Sequence, residues 1–128
     1  MFLTIQANDK RPVYQQIVDG VKALIAGGKL REGVTLPSVR QVAGDLGVNL
    51  NTVAVAYRQL QDEGFVTVRH GAGAVISSRT SHPVDKTELY KPLRTALTQL
   101  ILAGLSGHEI EKSVRRELTL LQQKGGAE

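Results

Sequence analysis

The chain has 128 residues, 41% hydrophobic and 22% charged, which fits one ordinary globular domain or a small domain plus an appendage and argues against a disordered segment. It has no cysteine, which excludes a disulfide framework and a zinc-thiolate site; no apolar run nears the roughly 20 residues that span a bilayer and no signal-peptide layout appears, so a cytoplasmic protein is expected. The net charge of +4 permits a polyanionic partner but does not locate it: residues 1–78 hold 8 Lys and Arg against 6 Asp and Glu, and residues 79–128 hold the same numbers.

In chain order, Phe2, Leu3 and Ile5 form an apolar arm able to dock in extended form. Pro12 suits the first turn of a helix. Tyr14, Ile17, Val18, Val21, Leu24 and Ile25 recur every three or four residues, and Gly27-Gly28 ends that helix. Lys29 to Leu36 reads as a polar turn. Pro37 resists extension of an upstream helix, and Ser38 with Gln41 stands in capping-box register for the next one. Val39, Val42, Ala43 and Leu46 are its apolar face, and Gly47 supplies a left-handed stop. Asn49 can cap a third helix, with Val53, Ala56, Tyr57 and Leu60 as its buried stripe and Gly64 at its end. Phe65, Val66 and Val68 read as a strand, His70-Gly71-Ala72-Gly73 as a turn, and Ala74 to Ser77 as the return strand. Helix, turn, helix, hairpin is the layout of a winged helix-turn-helix.

Arg79 to Thr87 lacks periodicity and reads as a linker. Leu89, Leu93, Ala96, Leu97, Leu100 and Ile101 then mark a helix, with Pro92 in its first turn or at a kink, and Gly104 stops it. Ser106 with Glu109 makes a second capping box. Ile110, Val114, Leu118 and Leu121 stripe a last helix that ends at Gly125-Gly126. The expected organisation is a winged domain over residues 1–78, a linker over 79–87 and a helical tail over 88–128. The expected class is mainly α with a small β-hairpin. A tail of about 40 residues cannot close a sizeable core alone, so its apolar stripes must fold back on the winged domain or pair with a second copy.

The stretch from Leu36 to Gly73 resembles the DNA-binding domain of the GntR family of bacterial transcription regulators. The matching residues are Leu36-Pro37-Ser38-Val39-Arg40, Leu46-Gly47-Val48, Thr52-Val53, Ala56-Tyr57, Leu60, Glu63-Gly64 and Arg69-His70-Gly71-Ala72-Gly73, all in one register. The short two-helix tail resembles that of the YtrA-like subgroup of the family, in which the tail helices build the dimer. That resemblance implies a dimerisation surface from Leu93, Leu97, Leu100, Ile101, Ile110, Val114, Leu118 and Leu121.

It also implies a set of DNA contacts. Arg40 sits on the polar side of the second helix, where an arginine reads guanine or phosphate in bidentate fashion. Ser38 caps a helix start that can also face phosphate. Asn49, Leu50, Asn51 and Thr52 open the recognition helix, the end that reaches base edges in this motif. Leu50 departs from the pattern, since family members often carry Arg there, and Ala54 is small where some relatives carry Arg. Tyr57 faces the core by its spacing, and the resemblance brings its hydroxyl to a phosphate. Arg58 reads as exposed, with a DNA contact and an idle surface charge left equally open. His70 and Gly71 form the wing tip.

The expected function is a sequence-specific DNA-binding regulator, a repressor that binds a palindromic operator in double-stranded DNA as a homodimer. A small-molecule effector is left open, and no cofactor is implied. A winged protein-interaction module is the alternative, favoured by the modest charge and by Leu50. His82 and His108 lack ligand spacing, and no nucleophile, phosphate loop or carboxylate pair suggests an enzyme.

Overall fold

The computed structural model describes residues 3–69, 73–77 and 85–126. Helix α1 spans Val13–Ala26, after Pro12, and buries Ile17, Val18, Val21, Leu24 and Ile25 on one face. The N-terminal arm docks against it as its apolar residues demand. Leu3 is buried and Ile5 packs on the same core. One polar residue of α1 is buried too: Gln16, at 6% exposure. Its Oε1 accepts the Gln6 N–H at 2.8 Å, and its Nε2 donates to the carbonyls of Gln6 and Arg11, both at 3.2 Å. A buried amide stays affordable only when bonded in this way, and these bonds pin the arm to α1.

Helix α2 is Val39–Leu46 and α3 is Leu50–Asp62. Each starts on a side-chain cap. The Gln41 N–H donates to Ser38 Oγ at 3.0 Å, but only this forward half of the capping box forms. The Asn51 N–H donates to Asn49 Oδ1 at 2.7 Å. Between the two helices, Gly47 turns the chain at φ 68°, a left-handed conformation that costs a side-chain-bearing residue energy. Val42, Ala43, Val53, Ala56, Tyr57 and Leu60 join the stripe of α1 in one core. Lys22 of α1 pairs with Glu63 beyond α3 at 2.6 Å and sits 5.2 Å from the centroid of the Phe65 ring.

Strand β1 (Val66–Arg69) pairs antiparallel with β2 (Gly73–Ile76), with Val66 opposite Ile76 and Val68 opposite Ala74. The segment expected as a polar turn does more than turn. Its Leu36 N–H donates to the Ala74 carbonyl at 2.8 Å, and its Val34 carbonyl accepts from Ile76 at 2.9 Å. Thr35 thereby bridges Val75 on the edge that β1 leaves free. A lone hairpin is marginal and leaves an open edge; here β2 is bonded on both sides, and Ala74, Val75 and Ile76 are all buried.

The tail departs from the expected single helix after the linker. Asp85 caps a one-turn helix, α4 (Lys86–Leu89), by accepting the Thr87 N–H at 3.0 Å. The chain then restarts as α5 (Lys91–Leu102), with Pro92 in its first turn. Leu89 and Leu93 therefore lie on different helices. The cause is Pro92, which has no N–H to give to the Glu88 carbonyl. Helix α6 (Gly107–Gly126) opens on a complete capping box: Glu109 N–H to Ser106 Oγ at 3.2 Å, and Ser106 N–H to Glu109 Oε1 at 2.9 Å. It packs on α5 and also on α1. The tail thus folds back on the winged domain, and Ile110 is buried within one chain at 6% exposure. Ile110 is accordingly withdrawn from the expected dimer surface, because internal packing already covers it.

Candidate nucleic-acid interface

The first turn of α3 presents its residues outward. Leu50 is 46% exposed, Asn49 and Asn51 are exposed, and Thr52 is half-buried. The Asn49 oxygen is committed to its capping bond, which leaves the –NH2 as a donor. The Ser38 oxygen accepts in the same way, and its hydroxyl proton remains available. Arg40 is exposed on α2 and has no hydrogen-bond or ion-pair partner among the described residues. The expected contacts His70 and Gly71 lie outside the described residues. Gly73, at the near end of β2, has φ 78°.

Tyr57, whose hydroxyl the resemblance brings to a phosphate, also has a partner inside the chain. Its ring is buried, and its hydroxyl donates to the Pro37 carbonyl at 2.5 Å. Burial pushes the phenol up to about 12, so it keeps its proton at neutral pH. In the chain by itself that donor is used within the fold. Tyr57 therefore positions α3 against the start of α2.

The α3 residues divide between two clefts. Asn51, Thr52 and Val55 border one of about 380 Å³, whose other wall is Pro12, Val13 and Tyr14 at the start of α1. Ala54, Tyr57, Arg58 and Gln61 line another of about 330 Å³, closed by Ser38 on one side and by Val68 and Gly73 of the wing on the other. The second cleft thus gathers residues from α2, α3 and the wing. Arg58 within it has no partner among the described residues. The sequence signal for this residue was its spacing: Ala54, Arg58 and Gln61 stand four and three apart on one helical face.

Among the described residues no group of His, Asp or Glu is placed to hold a metal ion, and no helix is long and apolar enough to cross a membrane.

Comparison with known proteins agrees with this geometry. Residues 13–76, from the first residue of α1 to the last of β2, match the family model described as "Bacterial regulatory proteins, gntR family". The chain is 33% identical over 111 residues to the "HTH-type transcriptional repressor YtrA" of Bacillus subtilis (strain 168), covering 86% of this chain and 85% of that one. Among solved structures, a "Transcriptional Antiterminator" from Listeria monocytogenes EGD-e superposes with a TM-score of 0.85 at 28% identity, over 95% of this chain and 93% of that one. YtrA from Sulfolobus acidocaldarius, a GntR-family transcription factor, superposes with a TM-score of 0.63 at 39% identity, over 77% of this chain and 99% of that one.

Proposed function

The chain belongs to the GntR family of bacterial regulatory proteins, and from that membership we propose that it is a repressor that binds a palindromic operator as a homodimer. It is a DNA-binding transcription regulator of the YtrA-like kind, and not an enzyme. The repressor assignment is supported by its similarity to the Bacillus subtilis repressor along most of both chains.

The observation that carries the dimer is the apolar surface of the tail. With α6 already packed on α1, Leu93, Ile101, Leu102, Val114, Leu118 and Leu121 are still exposed, Ile101 at 61% and Leu102 at 82%. So many exposed large apolar residues on one short tail support an interface. A two-fold dimer places its recognition helices about 34 Å apart, or a multiple, which matches a palindrome. On this reading residues 1–78 carry DNA binding and residues 88–128 the pairing. Ser38, Arg40, Asn49, Leu50, Asn51, Thr52, His70 and Gly71 are the contacts of each half-site, with Arg40 and Asn51 as its hydrogen-bonding readers.

The test is a mobility shift on the region upstream of the protein's own gene. Arg40→Ala with Asn51→Ala is expected to abolish the preference for that fragment over a scrambled duplex and to leave the melting temperature unchanged. A double variant that still prefers the fragment overturns the assigned readers. A parent protein with no affinity for duplex DNA overturns the function.

A further inference from the structure

We infer that Arg58 is a sequence-independent phosphate clamp at the base of the wing, reaching the DNA strand that runs between the recognition helix and the hairpin. This rests on the DNA-binding reading above and gives a role to a residue that the motif leaves open.

The inference follows from the second cleft. An α-helix with its side chains is about as wide as the major groove of B-DNA, roughly 12 Å. A recognition helix seated there has a sugar-phosphate strand along each flank. On one flank of α3 stands the wing, and the cleft between them is where that strand must pass. The side chains of α3 that line it are Ala54, Tyr57, Arg58 and Gln61. The Tyr57 hydroxyl donates its hydrogen bond to the Pro37 carbonyl. Ala54 is too short to reach and leaves the space one turn away open. Gln61 is neutral. Arg58 is the exposed cation of this face, and among the described residues no acidic group holds it.

Like Arg40, it has no partner among the described residues, whereas two other cations of the winged domain are engaged internally. Arg11 pairs with Asp9 and Asp19, and Lys22 with Glu63. With Leu50 and Ala54 at the start of α3, the helix brings no other positive charge to the duplex. An arginine meeting phosphate rather than a base edge adds affinity to every sequence alike and carries no readout.

The experiment uses the full chain, with fluorescence anisotropy on two duplexes, one from the upstream region and one of scrambled sequence, between 50 and 200 mM salt (roughly the range over which phosphate contacts are read). Arg58→Gln is expected to weaken both duplexes by the same factor and to leave their affinity ratio unchanged. It should make the slope of log K against log salt shallower by about 0.9 for each arginine lost, or about 1.8 for a dimer. Arg58→Lys keeps the charge and should keep the slope, which separates a phosphate contact from a merely structural loss. An unchanged slope in Arg58→Gln overturns the clamp, as does a loss confined to the upstream duplex, the mark of a base reader. A parent that binds both duplexes equally overturns the specific-operator reading and leaves the clamp standing on its slope. A parent that binds neither overturns both.

Discussion

Tyr57 and Asp9 show how single side chains set the frame around the interface. The Tyr57 hydroxyl ties α3 to Pro37, twenty residues earlier in the chain. Tyr57→Phe keeps the ring in the core and leaves the Pro37 carbonyl unpaired, at a cost of about 1 kcal/mol. A thermal melt is expected to fall by a few degrees, with DNA affinity unchanged below the transition. Weakened affinity at an unchanged melting temperature would return that hydroxyl to the DNA. Because burial raises the phenol to about 12, its contribution is fully present below the unfolded value near 10 and is lost as pH rises toward 12. At the other end of the scale, hydrogen bonds from the Arg11 side chain and backbone hold Asp9 down at about 2. Its stabilisation is complete above the unfolded carboxylate value near 4 and is lost as pH falls from there to about 2. Where the pair is intact, stability should therefore fall with acid across that window, and Asp9→Asn, less stable at neutral pH, should flatten the dependence of stability on pH between about 4 and 2. An identical acid profile for the variant would show that the pair contributes nothing to folding.

At the scale of elements, the turn between α2 and α3 is set by one backbone conformation. A Cβ added at Gly47 would meet nothing within 4 Å, so crowding does not oppose it. The φ of 68° does. Gly47→Ala should therefore cost about 1 kcal/mol through the backbone alone, measured by denaturant midpoint with an unchanged m-value. A neutral or stabilising substitution would mean the turn relaxes freely, and the angle between the two helices would then not be fixed there. The capped starts of α2, α3 and α6 follow the same local logic. Ser38, Asn49 and Ser106 each satisfy a backbone N–H that the helix itself leaves bare. The break at Tyr90 is the counterpart: Pro92 cannot complete the helical ladder, so α4 and α5 stay separate.

At the scale of the whole molecule, α1 lies between the recognition helix and the tail, touching α3 and α6. The recognition helix and the proposed dimer surface are thereby joined through one packed helix. Linking two winged domains raises affinity through effective concentration, with no new contact to DNA. Ile101→Asp with Leu118→Asp places charge on tail residues that are 61% and 51% exposed in the single chain. Neither change disturbs the internal core, and both oppose an apolar interface. The variant is expected to melt like the parent, to sediment as a monomer and to lose submicromolar binding to a palindromic fragment. A variant that stays dimeric would move the interface elsewhere. A monomer that binds as tightly as the parent would remove the tail from the affinity.

The residues from Pro12 to Ser77 announced their own elements. Helical spacing in α1 and α3, caps at Ser38 and Asn49, the stop at Gly47 and the alternation around Val66 and Val68 all act within a turn or two of chain, so the sequence determined them alone. It equally determined that α6 begins on the Ser106 and Glu109 box. The exposure of Arg40 and of Asn49, Leu50 and Asn51 was legible by motif, because their positions follow from helix phase. What lay beyond the sequence were pairings between distant parts of the chain. The Tyr57 bond to Pro37, the burial of Gln16 under the arm and the rung that residues 34–36 add to β2 each join groups with no local signal for one another. The same holds for the tail. Its stripes declared an apolar face, but period alone cannot say which partner covers which residue. Only the packing of α6 on α1 decided that Ile110 turns inward while Leu118 remains outside, because burial belongs to the assembled surface and not to the pattern of one helix.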